Sequence, residues 1–173
     1  MGRLSPRRNP ALSIRARASE ARMSAYQIRK ILVGIDTSPR SDHVLETAVG
    51  LAQCFGAELI LAHSVGIPLD FPADALGLSP TALPGIMEEA ARRDLESRAR
   101  ALPEGIRHKV DIQIGTPWQV MCNLAKDEDV DLIVIGSHGY SGLDRVIGTT
   151  AARVVNHADR PVMVVRPKPA KSA

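Results

Sequence analysis

Residues 131–139 read DLIVIGSHG, and this stretch indicates the fold more clearly than any other part of the chain. The uninterrupted aliphatic run at 132–135 is typical of a strand that is buried on both faces, as the strands of parallel sheets are. Two glycines, Gly136 and Gly139, follow at once and predict a tight loop at the end of the strand. We therefore expect an α/β domain in which this strand is central.

The rest of the chain alternates short apolar runs with helical patterns in the same way. Strands are predicted over residues 31–35, 58–63, 108–114, 131–136 and 161–165. Helices are predicted from Ser41 or Asp42 to Gly56, over 86–102, from Thr116-Pro117 onward, and over 151–157. The third strand alternates apolar and polar residues, which favours one solvated face or an edge position. This order predicts a doubly wound, Rossmann-like parallel sheet with right-handed crossovers and helices on both faces.

Composition narrows the class of protein. Hydrophobic residues make up 45% of the chain but aromatic residues only 3%, so the core must be aliphatic. Helical spacing marks the inward positions of the first helix as Val44, Leu45, Ala48, Leu51, Ala52 and Phe55. Cys54 and Cys122 have no CxxC partner, so we expect reduced core thiols and neither a disulfide nor a zinc site. No apolar run approaches the roughly 20 residues that cross a bilayer, so we expect a cytoplasmic protein without a membrane partner.

Basic charge is concentrated in the first residues. Residues 1–22 carry six arginines against Glu20, which exceeds the net charge of +3 for the whole chain, so the remainder is mildly acidic. We expect residues 1–25 to be a disordered leader, with Met23 as a candidate start, residues 26–167 to be one domain, and 168–173 to be a tail. A nucleic-acid-binding arm or an organelle-import peptide is the alternative for the leader, and nucleic acid is not an expected partner.

The loops after the first and fourth strands carry the candidate binding residues. Ligands of doubly wound sheets bind beyond the carboxyl ends of the strands, and the two loops line one crevice if these strands are neighbours. Gly136 and Gly139 would let backbone N–H groups approach an anion, and Gly148, Thr149 and Thr150 stand at a helix start that favours phosphate. The alternative is that the glycines only turn the chain and a threonine only caps the helix. The segment is not a Walker A loop, because it has no GK[ST].

Single polar residues in these loops have two interpretations each. Asp36 could bind a ribose or a metal, with Thr37 and Ser38 beside it, or it could close an Asx turn onto Ser38 or Pro39. Arg145 could pair with a phosphate or decorate the surface. His138 and His63 could contact a ligand or be ordinary histidines. No motif indicates hydrolytic chemistry, so an enzyme is unsupported and any ATP hydrolysis would be weak.

Three segments together resemble the universal stress protein family: ILVGID at 31–36, DLIVIGSHG at 131–139, and residues 149–165. The resemblance covers about residues 26–167. It implies a five-stranded parallel sheet of order 3-2-1-4-5, homodimers and, in one branch, ATP held by a Gly-x2-Gly-x9-Gly-[Ser/Thr] loop. By position, Asp36 would then meet the ribose, and Ser64 or Val65 the adenine. The phosphate residues would be Gly136, Gly139, Gly148, Thr149 and Thr150, and the predicted nucleotide site also includes Thr37, Ser137, His138 and Arg145.

One departure from the family pattern bears on ATP. Eight residues, 140–147, separate Gly139 from Gly148 where the pattern has nine, and Gly142 could absorb the difference. The resemblance also implies that the last strand, Val162 to Val165, pairs with its partner in a homodimer. We expect a stress-response protein that binds ATP, alone or with magnesium. The alternatives are a nucleotide-independent dimeric interaction module and an adenine-nucleotide hydrolase or ligase.

Overall fold

The structure, a computed structural model, describes residues 27–36, 38, 40–66, 82–137 and 148–166. Five strands and four helices alternate along these segments. In chain order they are β1 (Lys30–Gly34), α1 (Ser41–Phe55), β2 (Glu58–Val65), α2 (Leu83–Arg100), β3 (His108–Ile114), α3 (Pro117–Asp127), β4 (Leu132–Gly136), α4 (Thr149–His157) and β5 (Val162–Val165).

The five strands form one parallel sheet of order β3-β2-β1-β4-β5. The predicted fold class and strand order are therefore confirmed, and β3 lies at an edge, which is one of the two arrangements that its alternating pattern favours. The middle strand is β1, with β4 beside it, so the expectation that β4 is central was wrong by one place. The winding reverses between β1 and β4, because the chain runs outward through β2 and β3 and then returns. A crevice forms at such a reversal, above the carboxyl ends of the strands.

Two apolar cores cover the two faces of the sheet, because successive strand residues point to opposite faces. In β1, Ile31 and Val33 pack into the core under α1 and α2, whereas Leu32 packs into the core under α3 and α4. These three side chains are fully buried, and each stabilises the fold by about 1.5–3 kcal/mol relative to an exposed position. The rigid double-sided core fixes the strand ends that carry the loops of the crevice.

The helix ends show where local sequence rules fail. Arg40 stands at the N-cap of α1 with no side-chain cap, so the prediction that Ser41 or Asp42 caps this helix was wrong. Ser41 is the first helical residue, and its hydroxyl bonds back to Asp36. Thr116 does occupy the N-cap of α3, with Pro117 at its first turn, but it too makes no side-chain cap bond. Gly56 ends α1 in the left-handed conformation as predicted, at φ +66°.

The last turn of α1 is more exposed than its apolar spacing predicts. Phe55 is 51% exposed and Cys54 is also exposed, so the expectation that both are core residues was wrong, and Cys122 is only half-buried. In the described part of the chain, no helix is long and apolar enough to cross a membrane. Residues 1–26, which contain the predicted leader at 1–25, residues 67–81 between β2 and α2, and residues 167–173, which contain the predicted tail, lie outside the described residues.

Candidate functional site

A cavity of about 490 Å³ opens above the carboxyl ends of β1, β2 and β4, at the winding reversal. This volume lies within the range of small-molecule sites, about 300–1,000 Å³. We call it the crevice. Its lining comes from the ends of the three strands, the starts of α1 and α3, and the start of α4. The crevice residues that the next paragraphs use are Gly34, Ile35, Asp36, His63, Ser64, Met121, Ser137, Thr149, Thr150 and Ala151.

Asp36 holds the turn between β1 and α1. Its Oδ1 accepts the Ser38 amide at 2.9 Å, the Ser38 hydroxyl at 2.5 Å and the Ser41 hydroxyl, so the Asx turn onto Ser38 does form. Burial would raise the pKa of this carboxyl, but the hydrogen bonds from Ser38 and Ser41 outweigh burial and hold the pKa below its ordinary value. All three bonds go to one oxygen, and within the described residues no hydrogen bond reaches Oδ2. The turn and a ligand contact are therefore compatible.

Ser64 presents its backbone, rather than its hydroxyl, to the crevice. The hydroxyl donates to the Gly115 carbonyl at 2.7 Å. The even-numbered residues of β2 are the ones whose backbone groups bond toward β1. The Glu58 N–H donates to the Arg29 carbonyl, and the Ala62 carbonyl accepts from the Ile35 N–H. Continuing this alternation turns the N–H and C=O of Ser64 toward the β1 side, beyond the point where β1 ends. One donor and one acceptor thus stand side by side at the crevice wall.

The start of α4 offers a cluster of backbone donors. Gly148 is the N-cap and has no side chain that could cap the helix, and the first intrahelical bond runs from Ala152 N–H to the Gly148 carbonyl. Within the described residues, the amides of Thr149, Thr150 and Ala151 are therefore the orphan donors of the first turn, and all three residues line the crevice. Together with the helix dipole, three such amides favour an anion.

The two ends of the glycine-rich loop are tied together. Gly148 N–H donates to the Ser137 carbonyl at 2.7 Å, and Ser137 N–H donates to the Val165 carbonyl of β5 at 2.8 Å. Ser137 is 1% exposed, so this junction is buried. The loop is one residue shorter than the family pattern, yet Gly148 still stands directly before the helix. The shortening therefore leaves the orphan amides of α4 at the crevice.

Gly34 keeps the floor of the crevice open. A Cβ at this position would meet the thioether end of Met121 at 3.1 Å and Ile135 at 3.1 Å, which is closer than side chains normally pack. Met121 and Ile135 both line the crevice. A side chain at Gly34 would therefore displace the side chain of Met121, which forms part of the crevice lining.

The structure brings most of the predicted site residues together. Those that line the crevice are Asp36, Ser64, Gly136, Ser137, Gly148, Thr149 and Thr150. Val65 does not line it, because its side chain is buried in the core and its carbonyl accepts the Gly115 amide. Thr37, His138, Gly139 and Arg145 lie outside the described residues.

Sequence reasoning missed Pro117 and Met121, which reach the crevice from α3. The only sequence signal for these two is their position in the first turns of a helix that follows a strand end. His63 was ambiguous in the sequence, and the structure places it in the crevice wall, where Nδ1 lies 2.7 Å from the Ile35 carbonyl. Among the described residues, no group of three or more His, Cys, Asp or Glu side chains could hold a metal ion.

Comparison with known proteins agrees with the sequence resemblance. A family model described as the universal stress protein family matches residues 27–166. The universal stress protein Sll1388 of Synechocystis is 28% identical over 149 residues, which cover 79% of this chain and 97% of that protein. The solved structure of universal stress protein UspA from Lactobacillus plantarum is 29% identical, with a TM-score of 0.69, and the match covers 81% of this chain and 99% of that one.

A third match concerns ligands directly. It is the crystal structure of a universal stress protein in complex with cAMP, 25% identical to this chain, with a TM-score of 0.57. The match covers 81% of this chain and 98% of that one.

Proposed function

This chain belongs to the universal stress protein family, and we propose that it is a stress-response protein that binds ATP in the crevice and acts as a homodimer. One observation carries the nucleotide part of the proposal. A carboxylate, a backbone donor and acceptor pair, and a cluster of orphan amides converge on a single cavity of about 490 Å³.

These three groups suit the three parts of an adenine nucleotide. The N–H and C=O of Ser64 match the N1 acceptor and the N6 donor of adenine. The Asp36 carboxylate can accept a ribose hydroxyl through Oδ2 while Oδ1 keeps its turn. The orphan amides of Thr149, Thr150 and Ala151 can donate to phosphate oxygens. The related protein that was solved with cAMP supports an adenine nucleotide as the class of ligand.

No described cluster of side chains provides a dedicated metal site. Magnesium would therefore arrive on the triphosphate, as it does in many nucleotide sites where the ion keeps most of its waters.

The homodimer part of the proposal rests on β5. This strand ends the sheet on one side, and Met163 in it is 37% exposed. An apolar edge strand exposes unpaired N–H and C=O groups, and pairing with a second copy satisfies them. Val165 of β5 accepts the Ser137 amide, so the proposed dimer strand is bonded to the base of the proposed phosphate loop.

Calorimetric titration of the full chain tests the nucleotide proposal. We expect saturable heat with ATP and magnesium, weaker binding of adenosine because it lacks phosphates, and weaker binding of inorganic triphosphate because it lacks the base. A paired titration with GTP tests whether the Ser64 edge reads the base. Absence of both heat and thermal stabilisation with ATP would favour the nucleotide-independent interaction module instead.

A further inference from the structure

His63 takes the hydrogen-bond acceptor that the Ser64 amide would otherwise use. In a parallel pair of strands, a residue whose N–H donates to one residue of the neighbouring strand has a carbonyl that accepts from the residue two positions further along that strand. Ile35 N–H donates to the Ala62 carbonyl at 2.9 Å, so the regular partner of the Ile35 carbonyl is the Ser64 N–H. In this structure the Ile35 carbonyl instead lies 2.7 Å from Nδ1 of His63, and the β1–β2 register ends one residue earlier, at Gly34 and Ala62.

The contact shows which ring nitrogen donates. A carbonyl oxygen can only accept, so Nδ1 carries a hydrogen and donates it to the Ile35 carbonyl. The ring is half-buried and belongs to the crevice wall. A side chain has thus replaced the backbone as the partner of the Ile35 carbonyl, directly after the end of β1.

We propose that His63 is a positioning residue that stops the β1–β2 ladder, so that the backbone N–H of Ser64 stays free for the base of the nucleotide. The same bond holds Ile35, the residue directly before Asp36, and so fixes the start of the ribose-binding turn. The proposal rests on the proposed function for the identity of its ligand, but the competition for the Ile35 carbonyl is a property of the chain alone.

His63→Leu removes the Nδ1 donor and puts an apolar side chain of similar reach in its place. The Ser64 N–H is then expected to bond to the Ile35 carbonyl and extend the ladder by one rung. Amide hydrogen exchange without nucleotide measures this directly: the Ser64 amide should exchange about a hundredfold more slowly in the variant than in the native chain. ATP affinity should fall by about tenfold or more, since the base loses its donor.

Two further variants separate this role from a general loss of structure. His63→Asn carries an amide N–H close to the position of Nδ1 and should restore both rapid exchange at Ser64 and ATP affinity. His108→Leu is the matched control, because His108 makes the same kind of bond, Nδ1 to the Ile106 carbonyl at 3.1 Å, at the opposite end of the neighbouring strand. It should change neither readout.

The exchange measurement decides the inference even if ATP proves not to be the ligand. A Ser64 amide that is already protected in the native chain, or one whose exchange is the same in His63→Leu, would overturn it. Failure of the proposed function has a different signature, because it shows as absence of ATP binding by the native chain while the exchange of Ser64 still responds to His63. Loss of ATP affinity in both His63→Leu and His63→Asn would also overturn the donor role.

Discussion

Substitution of Asp36 separates the turn from the ligand contact. In Asp36→Ala, the Ser38 and Ser41 hydroxyls, which are 5% and 3% exposed as residues, lose the oxygen to which they donate. A hydrogen bond to a charged group contributes about 1.5–3 kcal/mol, and bonds that share one acceptor do not add fully. We therefore expect Asp36→Ala to lower the free energy of unfolding by about 3 kcal/mol. Asp36→Asn keeps one acceptor oxygen and should lower it by about 1 kcal/mol.

The ligand arm uses Asp36→Asn, because this variant keeps the turn. A ribose hydroxyl that donates to a neutral amide oxygen is held less strongly than one that donates to a carboxylate. A loss of about 1.4 kcal/mol corresponds to a tenfold weaker affinity for ATP. Urea unfolding followed by circular dichroism measures the stability, and calorimetry measures the affinity.

Asp131→Asn is the matched control for this pair of measurements. Asp131 accepts the amides of Arg29 and Lys30 at 2.7 and 3.0 Å, at the amino ends of the strands, far from the crevice. It should lose stability without losing ATP affinity. Two results would contradict these roles of Asp36. One is ATP binding by Asp36→Asn as tight as that of the native chain, and the other is a loss of less than about 1 kcal/mol in the free energy of unfolding of Asp36→Ala.

Three other predictions concern Gly34 at the floor of the crevice, the pKa of Asp36 and the edge strand β5. Gly34→Val should weaken ATP binding, because its Cβ would lie 3.1 Å from Met121 and displace that side chain in the crevice lining. Gly50→Ala on α1 has open space and should keep the affinity of the native chain, and equal affinities of the two variants in calorimetry would contradict the prediction. Since hydrogen bonds lower the pKa of Asp36, the carboxylate stabilises the fold above its ordinary pKa and this stabilisation is lost as the pH falls through the lowered value. The difference in free energy of unfolding between the native chain and Asp36→Asn should therefore become smaller in strong acid. Urea unfolding at a series of pH values measures this difference, and a difference that does not change with pH would contradict the prediction. Met163→Lys, on the exposed edge strand β5, should convert the proposed dimer to a monomer in analytical ultracentrifugation. The circular dichroism spectrum should stay unchanged, and persistence of the dimer would exclude β5 as the interface.

The strands were predictable because burial on both faces leaves a direct mark on the sequence. Residues 132–135 are aliphatic without interruption, and the structure buries all four. The alternation of β3 allowed an edge position or one solvated face, and the structure places the strand at an edge. The strand order 3-2-1-4-5 was not readable from composition or periodicity, because it depends on long-range pairing, and it came from the family resemblance.

The errors share one physical cause, which is that local patterns do not see distant partners. Ser41 has the sequence of a helix cap, but its hydroxyl is taken by Asp36, and the cap position passes to Arg40. Phe55 has core spacing on α1, yet the structure leaves it 51% exposed. Periodicity gives the face of a residue but not whether anything covers that face.

The location of the candidate site was easier to predict from the sequence than the contacts within it. The sequence places Asp36 and Gly136 at strand ends that share a crevice, and it offers both a turn and a ligand for Asp36. It gives no sign that the Ser64 hydroxyl is engaged by Gly115, or that His63 bonds to the Ile35 carbonyl. Those facts depend on the register between neighbouring strands, which one sequence does not encode locally.

The most direct test of the central claim is a nuclear magnetic resonance titration of the ¹⁵N-labelled full chain, followed at the backbone amides. With ATP and magnesium, we expect saturable shifts at Ser64, in the proposed base-binding wall, and at Thr149, Thr150 and Ala151, at the start of α4. Inorganic triphosphate should shift only these three amides of α4, and adenosine should shift Ser64. Shifts that fall outside the crevice, or an unchanged spectrum at saturating ATP, would contradict the claim that this crevice is a nucleotide site.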